Sequence, residues 1–474
     1  ALSLPARIYG GVEGANSDIR IGVIGFNGRG KDHIGGLLGC KGVRITALCD
    51  VDSRVLERGK GELEKKGQQV QTYTDIRKLL ESKEVDAIST ATPNHWHALA
   101  SIWAIQAGKD VYVEKPVSHN VWEGRKIVEA AQKHGRICQT GTQSRSSVGL
   151  HEALAWVNAG NLGKVLWARG TCYKRRASIG KVSGEQPWPE KIDKDLWFGP
   201  APIKPLMREK LHYDWHWVWD TGNGDLGNQG IHQMDIARWF LGEGALSPSI
   251  LSVGGRVGYV DDGETPNTMF VMHNYQKAPL IFEVRGLPSE PAKMTVAADG
   301  SEKKGAEKMD LYRDTSVGVV IQYEGGHIVI PSYTNVEAFD KEGKSIKKWE
   351  SKGGESHYAN FIKAVRSRKS SDLNADIIEG HLSSALCHTG NISYVLGKKS
   401  EPDSIREKIK ADKEATDSFD RMIEHLGRNG VDPKKEQLAI GEHLKMDPKT
   451  EKFLGNAAAD KLLTREYRKP FEIV

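Results

Sequence analysis

Apolar and polar positions change rhythm once along the chain, near residue 142. Before that point short apolar runs alternate with longer amphipathic stretches. Ile21–Ile24, Val43–Leu48, Val85–Thr90, Asp110–Val113 and Ile137–Thr140 read as strands. Helical periodicity fills the intervals, from Lys31 onward and over Ser53–Lys66, Asp75–Ser82, Asn94–Ala107 and Val121–His134. Near-continuous apolar strands separated by helices of about 10–15 residues predict right-handed βαβ units around a doubly wound parallel sheet. After residue 142 a helix at Val148–Ala159 and a strand at Val165–Tyr173 lead into a Trp- and Pro-rich passage that ends near Trp219. A helix at Asn228–Leu241 then precedes strands in series: Leu251–Val260, Met269–Asn274, Leu280–Val284, Val317–Tyr323 and Ile328–Val336. Two helices follow, His357–Arg366 and Ile377–Leu396. This predicts an α+β domain on an open, largely antiparallel sheet. The fold class is thus α/β, with a parallel sheet first and an open sheet second. The expected boundaries are an arm over 1–20, domains over 21–141 and 142–400, and a charged helical extension over 401–474.

The length of 474 residues suits two large domains. Lys plus Arg number 67 against 62 Asp plus Glu, a net charge of +5, so nucleic acid and anionic membranes are not expected partners. No run approaches the roughly 20 apolar residues that span a bilayer. The five cysteines (Cys40, Cys49, Cys138, Cys172, Cys387) are odd in number and scattered, which argues against a disulfide framework or a zinc knuckle.

Chemistry is concentrated at strand ends. Gly25-Phe26-Asn27-Gly28-Arg29-Gly30 follows the first strand and opens a helix, fitting G-x-G-x-x-G except for Asn27 at the second glycine. Such a loop brings backbone close to a pyrophosphate, and the helix start directs free N–H groups at it. Asp50, 20 residues beyond Gly30 at the end of the second strand, can accept hydrogen bonds from both ribose hydroxyls and repels a 2′-phosphate. NAD is therefore expected rather than NADP, and Arg54 lies close enough to soften that preference. Thr92-Pro93-Asn94-His95-Trp96-His97 leaves the third strand, and Glu114-Lys115-Pro116 leaves the next, where open α/β sheets bind ligands.

Taken with Gly230-x-His232-x-x-Asp235, these motifs resemble the Gfo/Idh/MocA oxidoreductase family, the glucose–fructose oxidoreductase and inositol dehydrogenase relatives, over about residues 21–397. The resemblance implies a Rossmann domain that binds NAD through the glycine loop, Asp50, residues 92–95, His97, Glu114 and Gln143, followed by an open-sheet domain carrying the substrate. It implies hydride transfer between nicotinamide and a carbon of a sugar, glycoside or polyol. Lys115 would touch the reacting oxygen and the nicotinamide ribose, Glu114 would hold the nicotinamide end, and His232 would accept the proton. Alcohol oxidation needs such a base and such a cation. Many relatives carry Asp four residues before the histidine; this chain has Asn228, which can orient a neighbour across one helical turn but cannot stabilise an imidazolium as a carboxylate would. His232 should be a weaker base here, with Asp235 as partial compensation.

On the substrate side, eight of the twelve tryptophans fall between Trp156 and Trp239, and a flat indole suits the apolar face of a sugar ring as well as a core. Arg145, Tyr173, Arg175, Trp219 and Asp235 are the candidate substrate residues. His212-Tyr-Asp214-Trp-His216 has a ligand-like spacing, but hydride transfer to NAD needs no metal and none is expected. An NAD-dependent glycoside-cleaving enzyme, working by transient C3 oxidation and elimination, is the alternative enzyme class. A non-catalytic NAD- and sugar-binding regulator is the third reading, although it would be expected to lose Lys115 or His232. The family likeness further implies a homodimer or homotetramer. Residues 1–20 resemble the segment after a twin-arginine signal in exported bacterial members, which implies a periplasmic location, with the cytoplasm as the alternative.

Overall fold

The computed structural model describes residues 18–291, 294–296, 302–352 and 354–473. Most of the expected arm, and the export signature read on it, lies outside them, and Ile19 and Arg20 already belong to the first strand. Six parallel strands make the first sheet: β1 (Ile19–Ile24), β2 (Val43–Cys49), β3 (Gln71–Tyr73), β4 (Ala87–Thr90), β5 (Asp110–Val113) and β6 (Cys138–Thr140), in the order β3-β2-β1-β4-β5-β6. Helices α1 (Gly30–Leu38), α2 (Ser53–Glu64), α3 (Ile76–Leu80), α4 (Asn94–Gln106) and α5 (Val121–His134) connect them. The strands are apolar throughout because both faces are covered. Ile21, Val23 and Leu48 pack in one core, and Ile88, Val111 and Val113 pack against Leu99, Ile102 and Ile127 in the other. Local signals set the helix ends. Asp52 accepts from the Arg54 N–H at the start of α2, Asn120 from the Glu123 N–H at the start of α5, and α5 ends on Gly135 in the left-handed region. Strand order reverses between β1 and β4, and this switch point opens a crevice at the strands' carboxyl ends.

Helix α6 (Val148–Asn158), strand β7 (Val165–Tyr173), the short helix α7 (Lys194–Phe198), a π-turn (Leu226–Gly230) and helix α8 (Ile231–Leu241) follow. The second sheet then assembles β8 (Ser249–Gly255), β9 (Thr268–His273) and β10 (Leu280–Arg285), and, beyond the small hairpin β11 (Met294–Val296) and β12 (Glu302–Lys304), β13 (Val317–Tyr323), β14 (Gly326–Ile330), β15 (Val336–Asp340) and β16 (Ser345–Trp349). The expected strand over 328–336 is thus a hairpin arm and the start of the next strand. Only the β7–β10 pairing is parallel in this sheet among the described residues. One face packs Phe282, Val319 and Ile328 against Leu150, Met234, Phe240 and Leu386 from α6, α8 and the long helix α10 (Ile377–Val395), which follows α9 (His357–Ser367).

The end of the chain departs from the expected helical extension. After β17 (Lys398–Ser400), helices α11 (Pro402–Ile409) and α12 (Lys413–Arg428) form, but the chain then returns to the sheet as β18 (Leu438–Ile440), β19 (Leu444–Asp447) and β20 (Lys452–Phe453), before α13 (Ala457–Lys461). β18 and β19 both pair with β8. Strands this short carry too few residues to display a period. The helices are amphipathic rather than merely charged: Ile405, Ile409, Phe419, Met422 and Leu426 bury against Val253, Phe270, Met272 and Ile281 on the second face of the sheet. Under α12 the fully buried Glu283 meets Arg169 at 3.1 Å and the Tyr173 hydroxyl at 2.6 Å, and Arg421 also pairs with it. Among the described residues, no helix is long and apolar enough to cross a membrane.

Candidate active site

A cleft of about 900 Å³ opens at the switch point. Its first wall is the carboxyl edge of the parallel sheet. Gly25 through Arg29 line it from the β1–α1 turn, Asp50 from the end of β2, Thr92, Pro93, Asn94 and His97 from the β4–α4 turn, Glu114 and Lys115 from the end of β5, and Gln143 after β6. Two glycines have steric reasons to be there. Gly25 has φ +70°, and a Cβ on Gly30 would lie 2.2 Å from the Gly25 carbonyl oxygen. Gly30 therefore serves the close approach of α1 to the strand and does not itself line the cleft. The loop ends at the start of α1, whose positive dipole end suits a diphosphate, with the Lys31, Asp32 and His33 N–H groups already donating to the Gly28 and Arg29 carbonyls. Asp50 accepts from the N–H groups of Phe26 (3.3 Å) and Asp52 (3.0 Å), and burial lifts its pKa to about 6. A carboxylate strained in this way by desolvation gains from hydroxyl donors, which is the chemistry a ribose diol offers. The cradle, the helix start and this acceptor together fit a bound NAD.

Glu114 is the hub of the first wall. Its carboxylate accepts from Arg29 Nε at 2.9 Å, Gln143 Nε2 at 3.2 Å and the Lys115 N–H at 3.0 Å, and it faces His33 Nε2 at 3.1 Å. Although burial opposes ionisation, His33, Lys115 and Arg29 hold the carboxyl well below its usual range. The Lys115 ammonium donates to the Asn228 carbonyl at 2.7 Å across the cleft. Burial draws Lys115 below the ordinary lysine range against the opposing pull of Glu114. His97 bridges the Pro116 and Thr92 carbonyls at 2.6 and 2.8 Å and so pins the two strand exits together.

The second wall carries His232, Asn228, Gln229, Lys174, Arg176, Tyr213, Trp215, His216 and Tyr333. Lys115 and His232 therefore face one cavity from its two walls. His232 Nδ1 is buried with no hydrogen-bond partner among the described residues, and burial together with the Lys115 charge pushes the imidazole down to about 3. It is a neutral acceptor. Asn228 and His232 do not simply share a face of a regular helix, because Leu226–Gly230 is a π-turn. Such turns re-aim side chains and carbonyls, here delivering the Asn228 carbonyl to Lys115. The Asn228 amide lies 3.4 Å from the Tyr213 hydroxyl, which also accepts from Arg176 at 3.0 Å.

Several expected residues lie elsewhere. Arg145 and Asp235 are buried against each other, at 2.9–3.0 Å, with Glu379 and Ser383 as further partners. Tyr173 and Arg175 point to the other side of the sheet, toward Glu283 and toward Glu307 and Tyr259. Their neighbours Lys174 and Arg176 line the cleft instead, since successive side chains on an extended strand alternate sides. Trp219 packs near Tyr394. Arg54 is held bidentately by Asp52, and buried His95 ties the Trp197 and Thr221 carbonyls to α4. Of the tryptophans between β7 and α8, Trp197 and Trp215 line the cleft, while Trp188, with part of Trp197, belongs to a satellite core around Phe198 and Leu211. His33, Lys174, Arg176, Gln229 and Tyr333 were not signalled by any motif, and Tyr213 and His216 stood out only in the ligand-like spacing of residues 212–216. Only the two-residue alternation beyond Cys172 pointed at Lys174 and Arg176.

Residues 19–142 match the model of an oxidoreductase family with an NAD-binding Rossmann fold, and residues 159–270 match its C-terminal alpha/beta domain. The inositol 2-dehydrogenase of Salmonella typhimurium is 29% identical over 157 residues, which is 33% of this chain and 46% of that one. A glycosyl hydrolase family 109 protein of Saccharopolyspora erythraea is 28% identical over 220 residues, 45% of this chain and 42% of the other. The matched region thus spans less than half the length of these curated relatives. The WlbA dehydrogenase of Bordetella pertussis, solved with NADH and UDP-GlcNAcA, superposes with a TM-score of 0.55 at 17% identity, over 78% of this chain and 93% of that one. The aldose-aldose oxidoreductase of Caulobacter crescentus gives 0.55 at 15% identity, over 79% and 98%. At these identities the structural likeness is one of fold.

Proposed function

The chain belongs to the Gfo/Idh/MocA oxidoreductase family, and on that premise we propose that it is an NAD-dependent oxidoreductase acting on a ring hydroxyl or ketone of a sugar, glycoside or polyol. The single observation that carries this reading is the convergence of Lys115 and His232 on one cleft that also holds the glycine loop and Asp50. Bound NAD would supply the hydride acceptor, held by the loop, Asp50 and the Glu114 hub. The chain's own residues do the rest. Lys115, fixed by the Asn228 carbonyl, places a positive charge beside a substrate oxygen and stabilises alkoxide character. His232, neutral and lining the cleft, takes the hydroxyl proton. Lys174, Gln229, Tyr213 and Tyr333 offer hydrogen bonds to the remaining hydroxyls, and Trp215 offers an apolar ring face.

The likeness to glycosyl hydrolase family 109 proteins favours a second reading, in which NAD is used transiently during glycoside cleavage. His216 and Tyr213, both lining the cleft, supply additional proton-transfer groups for it. Residence in the periplasm and assembly as a dimer or tetramer belong to the same proposal. Because α11 and α12 cover part of the sheet's outer face, a partner subunit would have to use another surface. Denaturing the purified protein, identifying any released dinucleotide, and then following reduced nicotinamide and free aglycone across a panel of cyclitols, sugars and glycosides tests the proposal. NADH formation without aglycone supports the first reading, and aglycone release without net NADH supports the second. No dinucleotide binding at all would defeat both.

A further inference from the structure

We propose that Arg468 and Phe471, at the far end of the chain, are positioning residues of the dinucleotide site, and that through them the C-terminal segment sets how long the cofactor stays bound. The proposal rests on the reading of the cleft as an NAD site. Near Asp50, Val51, Thr74 and Ile76 the cleft has lining that the parallel sheet does not supply, namely Leu196 and Trp197 of α7. The segment bearing them is laid back onto the first domain. Asp52 and Ile192 form an antiparallel bridge, the Ser53 N–H donates to the Lys191 carbonyl at 3.0 Å, and the Asp193 N–H to the Val51 carbonyl at 3.1 Å.

The end of the chain fastens this wall. Arg468 donates to the Asp195 carbonyl at 2.7 Å, the Asp195 carboxylate at 2.5 Å and the Gly199 carbonyl at 3.0 Å, and so brackets α7 at both ends. Phe471 is fully buried against Trp96 (ring centroids 5.5 Å apart, near perpendicular) and Trp103 (6.3 Å), with Arg77 and Arg468 over its ring at 5.2 and 4.6 Å. Trp96 itself lines the cleft, and its indole N–H donates to the Leu196 and Trp197 carbonyls at 3.0 and 3.2 Å. Gly199 permits that contact, since a Cβ there would lie 2.2 Å from the Trp96 ring. Wall, indole and chain end are thus one packed unit. Leu196 and Trp197 cannot move away from the first domain without breaking the hydrogen bonds of Arg468 and of the Trp96 indole, which Phe471 backs. A dinucleotide seated on Asp50 rests against this unit, so its release slows for as long as the unit stays packed.

The test uses the full-length protein loaded with NADH and chased with excess NAD, following nicotinamide fluorescence. Phe471→Ala and Arg468→Ala are expected to speed NADH release at least tenfold, with Arg468→Lys and Phe471→Trp restoring part of the effect. Phe419→Ala, which removes a comparable ring from beneath α12, is expected to lower the melting temperature without changing the release rate. Equal release rates in Arg468→Ala and wild type overturn the proposal, and that side chain, 22% exposed, can be tested even if Phe471→Ala does not fold. Equal acceleration by Phe419→Ala also overturns it, by reducing the effect to general destabilisation. Failure of wild type to bind NADH is a different outcome: it removes the reading of the cleft itself.

Discussion

The two walls of the cleft are built in different ways. On the first wall, the lining comes from short turns at the carboxyl ends of parallel strands, 25–29, 50–51, 74 and 76, 91–94, 96–97, 114–115 and 143, most of them carrying motifs that the sequence displays locally. On the second wall it comes from the end of β7, from a loop before α8, from a π-turn, from His232 at the start of α8 and from Tyr333 beyond β14, and of these residues only Asn228 and His232 were assigned roles in the cleft from a motif. Parallel sheets impose one address for ligands, so a glycine or an acid at a strand exit has a meaning independent of the rest of the chain. An open sheet with loops across one edge imposes no such address. There, which side chains meet depends on pairings such as Arg145 with Asp235, formed over 90 residues of separation.

The sharpest way to break this contrast is at the residue that joins the walls. Lys115→Met is expected to lower turnover by about a hundredfold or more, measured as NADH formation with the best substrate of the panel. Full activity in that variant would remove the joining residue from the chemistry and leave two unrelated surfaces. His232→Ala should act similarly, since its neutral imidazole lines the same cavity.

A smaller effect is expected from Asp50→Asn on the first wall. Losing a charged acceptor for hydroxyl donors costs about 1.5–3 kcal/mol, so the Kd for NAD should rise roughly tenfold to a hundredfold, as read by titration calorimetry. The pH dependence has a definite sign. In the empty protein the Asp50 pKa is raised from 3.8 to about 6, so the folded state favours the neutral acid. Its contribution to stability is fully present below pH 3.8 and is lost as pH rises through about 6. NAD, which needs the carboxylate, should therefore bind more weakly as pH falls below about 6, and Asp50→Asn should raise the melting temperature of the empty protein at neutral pH. An unchanged pH profile would detach this acid from the cofactor.

The second wall can be probed one residue at a time. Lys174→Met is expected to raise the substrate KM about tenfold, consistent with loss of a hydrogen bond from a charged donor. The adjacent Tyr173→Phe should change kcat/KM less than about twofold while costing about 1 kcal/mol of stability by denaturant titration, because its hydroxyl serves Glu283 on the opposite face. The reverse ranking would mean that the strand does not alternate as described.

Much of the molecule was legible in the chain. The parallel domain could be read because apolar runs and helical periods are local, and because Asp52, Asn120 and Gly135 mark helix ends by short-range chemistry. The glycine loop, Asp50, Glu114 and Lys115 could be read because their meaning follows from position at a strand end. Substrate-side residues were not legible, for a reason visible at Tyr173. Being on the right strand is not enough when one step along it turns the side chain to the other face. Arg145 and Asp235 looked available in sequence, but a charged pair remote in the chain can neutralise itself inside the fold. The tail likewise read as charged surface, because its apolar stripe acquires a purpose only against the face of a sheet made some 150 residues earlier.

By itself, then, the sequence determined the fold class and marked the glycine loop and the strand-end groups of the first wall, since these follow from local pattern, whereas the meeting of Glu114 with Arg29 and His33 there was left to the fold. Tertiary structure alone decided which cations and phenols line the second wall, that the Asn228 carbonyl anchors Lys115, and that Arg468 and Phe471 close on the wall beside Asp50. Those contacts join residues more than 100 positions apart, and no local pattern records a pairing whose partner is fixed only when separate domains pack.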